Sequence, residues 1–379
     1  MLASISPFSR SFLLVLLSSA LITACNSSDT TSSSSALDTG DVALLITDKP
    51  TSAYDEINVT AEQVTLIGEG RGKEAHLMTK TVTFNLLDLR NTFRRLSKCK
   101  APVGTYSKVR FKIKDVELVK HLPNDKRDRK YAHLKNKFID LVAKKQFAIS
   151  RHHKLVVKLD LDADKSLETD PTTGEPVLDP ETGDPVFDPD ATVDTDEVPT
   201  DTDAPPQEVT PVLMNELGDV RNLQTDSFDL CNTNPDGSVD CIQVNISADT
   251  VVMDSSLQDV GIEGILETFP AQVFGHLDVT TDTINALHVV QDSGVKTYSG
   301  TLSGAVANDS IQFSITAGNS AGSTYPVKPV SLSGVYDSAG NVLDASALGD
   351  GVNVEVIGKL NPFPPPGILQ PGVIIISAP

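Results

Sequence analysis

Apolar and polar residues alternate along most of this chain with a period of two, in short runs. Val42-Ala43-Leu44-Leu45-Ile46, Ile57-Asn58-Val59-Thr60-Ala61 and Val64-Thr65-Leu66-Ile67 are followed by Lys108-Val109-Arg110-Phe111-Lys112-Ile113-Lys114 and Leu155-Val156-Val157-Lys158-Leu159-Asp160-Leu161. Successive side chains of a strand point to opposite faces, so residues 108 to 114 predict Val109, Phe111 and Ile113 in a core and four cations toward solvent. Such half-solvated alternation belongs to antiparallel sheets. Gly68-Glu69-Gly70-Arg71-Gly72 is a hairpin loop rather than a phosphate cradle, because no helical pattern follows to present an N-terminus. One apolar run does not alternate. Residues 12 to 24 are too few to span a bilayer and suit a secretory signal, and no later apolar stretch approaches eighteen residues.

That run ends in Ile22-Thr23-Ala24-Cys25, which resembles the bacterial lipobox. The resemblance implies removal of residues 1 to 24, thioether diacylation of Cys25 and acylation of its new amino group. Three acyl chains exceed what stable membrane attachment needs. Asn26 stands where an aspartate would resemble an inner-membrane retention signal, which favours the outer membrane. Residues 25 to 40, mostly Ser, Thr and Asp, are too polar to fold and read as a tether.

The lack of tryptophan, the sparse aromatics and the many Thr, Val, Asp and Gly residues point to an all-β chain. Cysteines of exported chains tend to pair. Cys231 and Cys241 flank an Asn234-Pro235-Asp236-Gly237 turn signal between two strand-like runs, which predicts a disulfide-closed hairpin. Cys99 is left over among Arg94, Arg95, Lys98 and Lys100, and is expected to be an incidental surface thiol.

Charge is unevenly distributed. Residues 41 to 168 carry 26 Lys or Arg against 17 Asp or Glu, whereas residues 169 to 379 carry 4 against 32. Residues 169 to 208 hold thirteen acids, no base and a proline-rich nine-residue repeat, from which a disordered acidic insertion is expected. Asp160, Asp162 and Asp164 share the opening spacing of an EF-hand, but Lys165 replaces the turn glycine and Pro171 the bidentate glutamate, so no metal site is expected. Lys108, Arg110, Lys112 and Lys114 form a candidate anion-binding face. Lipid headgroups, the acidic insertion and an external polyanion compete for it with plain solvation. Nucleic acid is not expected as a partner, since no aromatic platform interleaves the cations.

Ile46-Thr47-Asp48-Lys49-Pro50, Asn85-Leu86-Leu87-Asp88-Leu89, Pro102-Val103-Gly104-Thr105-Tyr106 and Leu159-Asp160-Leu161-Asp162-Ala163 resemble successive blocks of the family called domain of unknown function 4382. The resemblance implies a β-sandwich, here residues 41 to 217, without an assigned activity. Val209-Thr210-Pro211-Val212-Leu213 would be its last strand, displaced by the insertion. Further on, Asp226-Ser227-Phe228-Asp229-Leu230 recurs as Asp309-Ser310-Ile311-Gln312-Phe313. Val273-Phe274-Gly275-His276-Leu277 recurs as Val356-Ile357-Gly358-Lys359-Leu360, at the same offset. Two tandem small β-barrels follow, residues 218 to 293 and 296 to 379, and they resemble an uncharacterised exported family with an OB-like strand order.

None of the seven histidines stands in a metal-ligand spacing. Gly300-Thr301-Leu302-Ser303-Gly304 has its serine one place late for a nucleophile elbow. The expected whole is an all-β protein, an antiparallel sandwich followed by two OB-like barrels, lipid-anchored at the cell envelope. Binding or scaffolding is the expected role, without catalysis or cofactor. The partners are the membrane and an envelope protein or polyanion. A polyanion-binding or calcium-dependent adhesion module is the alternative, and a hydrolase with a dispersed site the remoter one.

Overall fold

The structure, a computed structural model, describes residues 38–49, 54–69, 73–122, 126–200, 212–291, 295–307, 310–316, 322–327, 334–361 and 368–377. The expected signal sequence, residues 1 to 24, and Cys25 lie outside the described residues. Every module is built from strands, as the period-two pattern predicts.

The first module comprises β1 (Thr39–Lys49), β2 (Glu56–Gly68), β3 (Glu74–Met78), β4 (Val82–Asn85), β5 (Arg94–Pro102), β6 (Gly104–Leu122), β7 (Lys126–Tyr131), β8 (His133–Leu134), β9 (Phe138–Ile149), β10 (His153–Asp162), the short helix α1 (Ala163–Ser166), β11 (Val186–Phe187) and β12 (Ala191–Pro199). One sheet has the order β12-β10-β1-β5. The other runs β3-β2-β6-β7, with β4 beside β2 and β9 beside β6. Neighbours are antiparallel apart from β1 with β10 and the short β8 with β11. The two inner faces close a sandwich core around Leu44, Ile46, Val64, Val109, Phe111 and Leu159. Val42 to Ile46 do not alternate because their sheet is covered on both sides. Leu44 and Ile46 face the sandwich core, whereas Leu45, with Val156 of β10, joins the apolar cluster that fills the next module.

That next module is a small barrel of β13 (Val212–Arg221), β14 (Ser227–Thr233), β15 (Val239–Asn245), β16 (Val251–Met253), β17 (Pro270–Asp278) and β18 (Thr283–Val290). Its order is β15-β14-β13-β17-β18-β16, closed by a parallel pairing of β15 with β18. The third module contains β19 (Lys296–Ala307), β20 (Ser310–Ile315), β21 (Thr324–Val327), β22 (Gly334–Asp337), β23 (Val342–Leu343), β24 (Asn353–Asn361) and β25 (Ile368–Ile376). Its order is β21-β20-β19-β24-β25-β22-β23, closed by β21 parallel to β25. The two barrels share one strand order. They also share a bulge, at Phe274/Gly275 and at Ile357/Gly358. A Cβ on Gly275 would lie 2.4 Å from the Asn285 carbonyl oxygen, and one on Gly358 2.3 Å from that of Gln370. The recurring glycine is what lets the backbones come this close at the bulge. The barrels meet through Leu213, Phe274, Tyr336, Ile357, Val373 and Ile375.

Two expectations are corrected. The acidic segment is folded as far as Thr200. Asp170 Oδ1 accepts from the amides of Thr172 and Thr173, Asp179 Oδ1 accepts from Glu181 and Thr182, and Gly174 and Gly183 take the positive φ that each turn requires. The carboxylates cap turns at the surface, so their repulsion is spread through water. Meanwhile Phe187 and Val193 are buried in the sandwich core, and Val198, on the other face of β12, joins the apolar cluster of the next module. Second, Val212 and Leu213 do not close the sandwich. They pair with Leu277 and His276 of β17 and open the first barrel, and β12 supplies the last sandwich strand by pairing with β10. The boundary between the modules therefore falls between residues 200 and 212.

Candidate functional site

The candidate anion-binding face lies on β6. Val109, Phe111 and Ile113 are buried, Lys108 and Lys114 are exposed, and Arg110 and Lys112 are half-buried, so the four cations share the outer side. The structure sets carboxylates among them. Arg110 donates through Nε and Nη2 to the two oxygens of Asp140 at 2.7 and 2.8 Å. Lys112 Nζ lies 2.9 Å from Glu62 and 5.4 Å from the centre of the Phe138 ring. The Arg110 hydrogen bonds hold the Asp140 carboxyl below its ordinary range, and the Lys112 bond does the same for Glu62. Two of the four cations thus have local counter-ions, which weakens the face as a trap for a free polyanion.

A cleft enclosing about 100 Å³ opens between β3 and β5 of the sandwich and the β14–β15 hairpin of the first barrel. Its polar lining includes His76, Lys80, Lys98, Asn234 and Asp240. His76 is fixed from β2, with Gln63 Nε2 and Thr65 Oγ1 each 2.9 Å from its Nδ1. The hairpin that forms the far wall is closed by the Cys231–Cys241 disulfide, whose halves face each other across the antiparallel pair. Cys99 lines the cleft too, but it is not a surface thiol: it is 7% exposed. It joins Leu96 and Ala101 of β5 in the sandwich core. Sequence reading missed this cleft because its walls come from residues more than a hundred positions apart.

Beside the cleft, the sandwich and the first barrel are joined by a buried carboxylate. Asp282 receives Arg95 Nη1 at 2.8 Å, Lys154 Nζ at 3.0 Å and Lys98 Nζ at 3.2 Å. Burial pushes the Asp282 carboxyl up, but the three cations outweigh it and hold it below the ordinary carboxylate range. Glu216 of β13 accepts the Arg95 amide at 2.6 Å. The joint to the third module is similar. Arg90 donates to Ser299 Oγ, which in turn donates to Glu355 Oε2 at 2.7 Å. Burial raises Glu355 to about 7 despite Arg90, and raises Asp48, which lies next to Arg90, to about 8. Between the two barrels, His288 Nε2 lies 2.6 Å from Tyr336 Oη, and burial lowers the imidazole to about 4.

One carboxylate of the rejected EF-hand has structural work. Asp162 Oδ1 caps α1 by accepting from the Lys165 amide, and its other oxygen lies 3.0 Å from Lys165 Nζ. Among the described residues no group of His, Cys, Asp and Glu side chains is arranged to hold a metal.

Residues 39–180 match the family described as Domain of unknown function (DUF4382). The match covers most of the sandwich and stops short of β11 and β12. Neither a curated protein nor a solved structure matches the chain.

Proposed function

We propose that this chain is a lipid-anchored scaffold of the bacterial cell envelope, held at the outer membrane through acylated Cys25, with a binding rather than a catalytic role. The observation that carries the scaffold reading is the Asp282 joint. A carboxylate with three cations, two of them nearly sealed from water, holds sandwich and barrel in one relative position. Fixed geometry suits a body that presents surfaces to partners, and the cleft beside the joint is the place where such a partner would insert a polar side chain.

The anchor is supported by the lipobox at residues 22 to 25 and by an apolar run of signal length before it. Its test is chemical. Cys25→Ser is expected to abolish palmitate incorporation and release the chain from the particulate fraction. A sulfur cannot be both a thioether and half of a disulfide, so mass analysis of Cys25 in the mature protein decides the matter, and a disulfide there would overturn the anchor. The polyanion alternative predicts salt-sensitive retention on heparin that is lost when Lys108, Arg110, Lys112 and Lys114 become Glu. The Arg110–Asp140 and Lys112–Glu62 pairs argue for weak retention instead.

A further inference from the structure

The outer side of β6 continues onto its two edge neighbours, β7 and β9, and carries apolar side chains that no described residue covers. Val142 is 67% exposed, Tyr131 61% and Phe138 54%, and Tyr131 and Phe138 are two of the three exposed aromatic side chains among the described residues. Register sets them on one face: Val142 lies opposite Lys108, Phe138 opposite Lys112 and Tyr131 opposite Glu117. Lys108 and Lys114 are exposed on this same face of β6 and have no ion pair among the described residues. Apolar and aromatic side chains set among free lysines suit the boundary of an anionic bilayer, where the rings enter the headgroup layer and the ammonium groups meet phosphate.

The position of the chain's entry agrees. Thr39 of β1 pairs with Pro102, and the Val103 amide donates to the Asp38 carbonyl at 2.8 Å, so the chain enters beside the start of β6 and the end of β9. Lys108 and Val142 are about 13 Å further along those strands, four residues at roughly 3.3 Å each. Cys25 lies thirteen residues before Asp38, a reach of at most about 45 Å.

We propose that the outer face of β6, β7 and β9 rests on an anionic phospholipid surface. The proposal builds on the anchored reading, which keeps this face within reach of a bilayer, and it goes further by fixing which side of the molecule lies down. The acidic barrels then carry the opposite charge away from the lipid.

The test uses the mature chain from Asn26 to Pro379 without acyl groups, so that its failure is separable from failure of the anchor. Cosedimentation with vesicles of phosphatidylglycerol and phosphatidylethanolamine is expected, with release at high salt and little binding to phosphatidylcholine vesicles. Replacing Lys108 and Lys114 together by Gln should lower partitioning about thirtyfold, and Phe138→Ser with Val142→Ser about tenfold, with unchanged unfolding midpoints. Equal binding to neutral vesicles, absence of binding, or binding indifferent to both variants would each overturn the proposal. So would self-association that the lysine variant abolishes, which would assign the face to the acidic barrels of a second copy.

Discussion

Gly275 and Gly358 show how a single residue can be required by geometry alone. Each sits at a bulge where the neighbouring strand's carbonyl occupies the space of a side chain, so Gly275→Ala or Gly358→Ala must displace backbone. A loss of about 1 to 3 kcal/mol is expected for either, read by denaturant unfolding, whereas alanine at the open Gly349 should change stability by a few tenths. His288 makes a different kind of demand. It is buried and neutral with its pKa near 4, while in the unfolded chain it titrates near 6.5. The unfolded state therefore binds the extra proton, and stability falls as pH drops from about 6.5 toward 4, by on the order of 3 kcal/mol. His288→Gln should remove that part of the pH dependence, and a slope unchanged in the variant would show that the histidine is not the group responsible.

At the scale of strands, the alternation of β6 and of β10 was legible because one side of each run meets water or a polar seam. The continuous Val42 to Ile46 run was legible as a strand but not as one buried on both faces. Only the barrel packed against Leu45 and Val156 explains its lost alternation. The acidic segment misled because proline and charge density argue against a core, yet its apolar minority is placed at strand spacing. Val186-Phe187 and the β-branched Val193 and Val198 could have been read as the signal that outweighs the charges. The consequence is measurable. The alternate amides of residues 192 to 198 that bond to β10 should show hydrogen-exchange protection, where a disordered insertion would exchange at once. Phe187→Ala should cost about 3 to 5 kcal/mol, as for other fully buried aromatics.

At the scale of the molecule, sequence revealed a basic half and an acidic half but not how they meet. Which carboxylate faces which cation is set by tertiary contacts between residues as distant as Arg95 and Asp282, and no local spacing encodes that. The joints bring their own pH dependence. With Asp48 raised to about 8 and Glu355 to about 7, the folded chain keeps protons that the unfolded chain has released, so their effect on stability declines as pH rises from about 4.5 to 8. Glu355→Gln should flatten the part of that decline below pH 7. Asp282 acts with the opposite sign, since its folded pKa is depressed, and it gives the sharpest test of the single-body architecture. Its φ of 63° is one that asparagine also adopts readily, so Asp282→Asn removes the charge while keeping the turn. Lys154 would be left buried without its counter-ion, at about 3 to 5 kcal/mol, while Arg95 keeps Asp240 at 3.6 Å. Because that joint couples sandwich to barrel, the variant should unfold in separate steps where the native chain melts as one. Adding Lys154→Met should recover part of the loss, since an apolar side chain in place of a buried cation needs no partner. If Asp282→Asn melted in a single transition at the native midpoint, the modules would be held together by apolar contact alone.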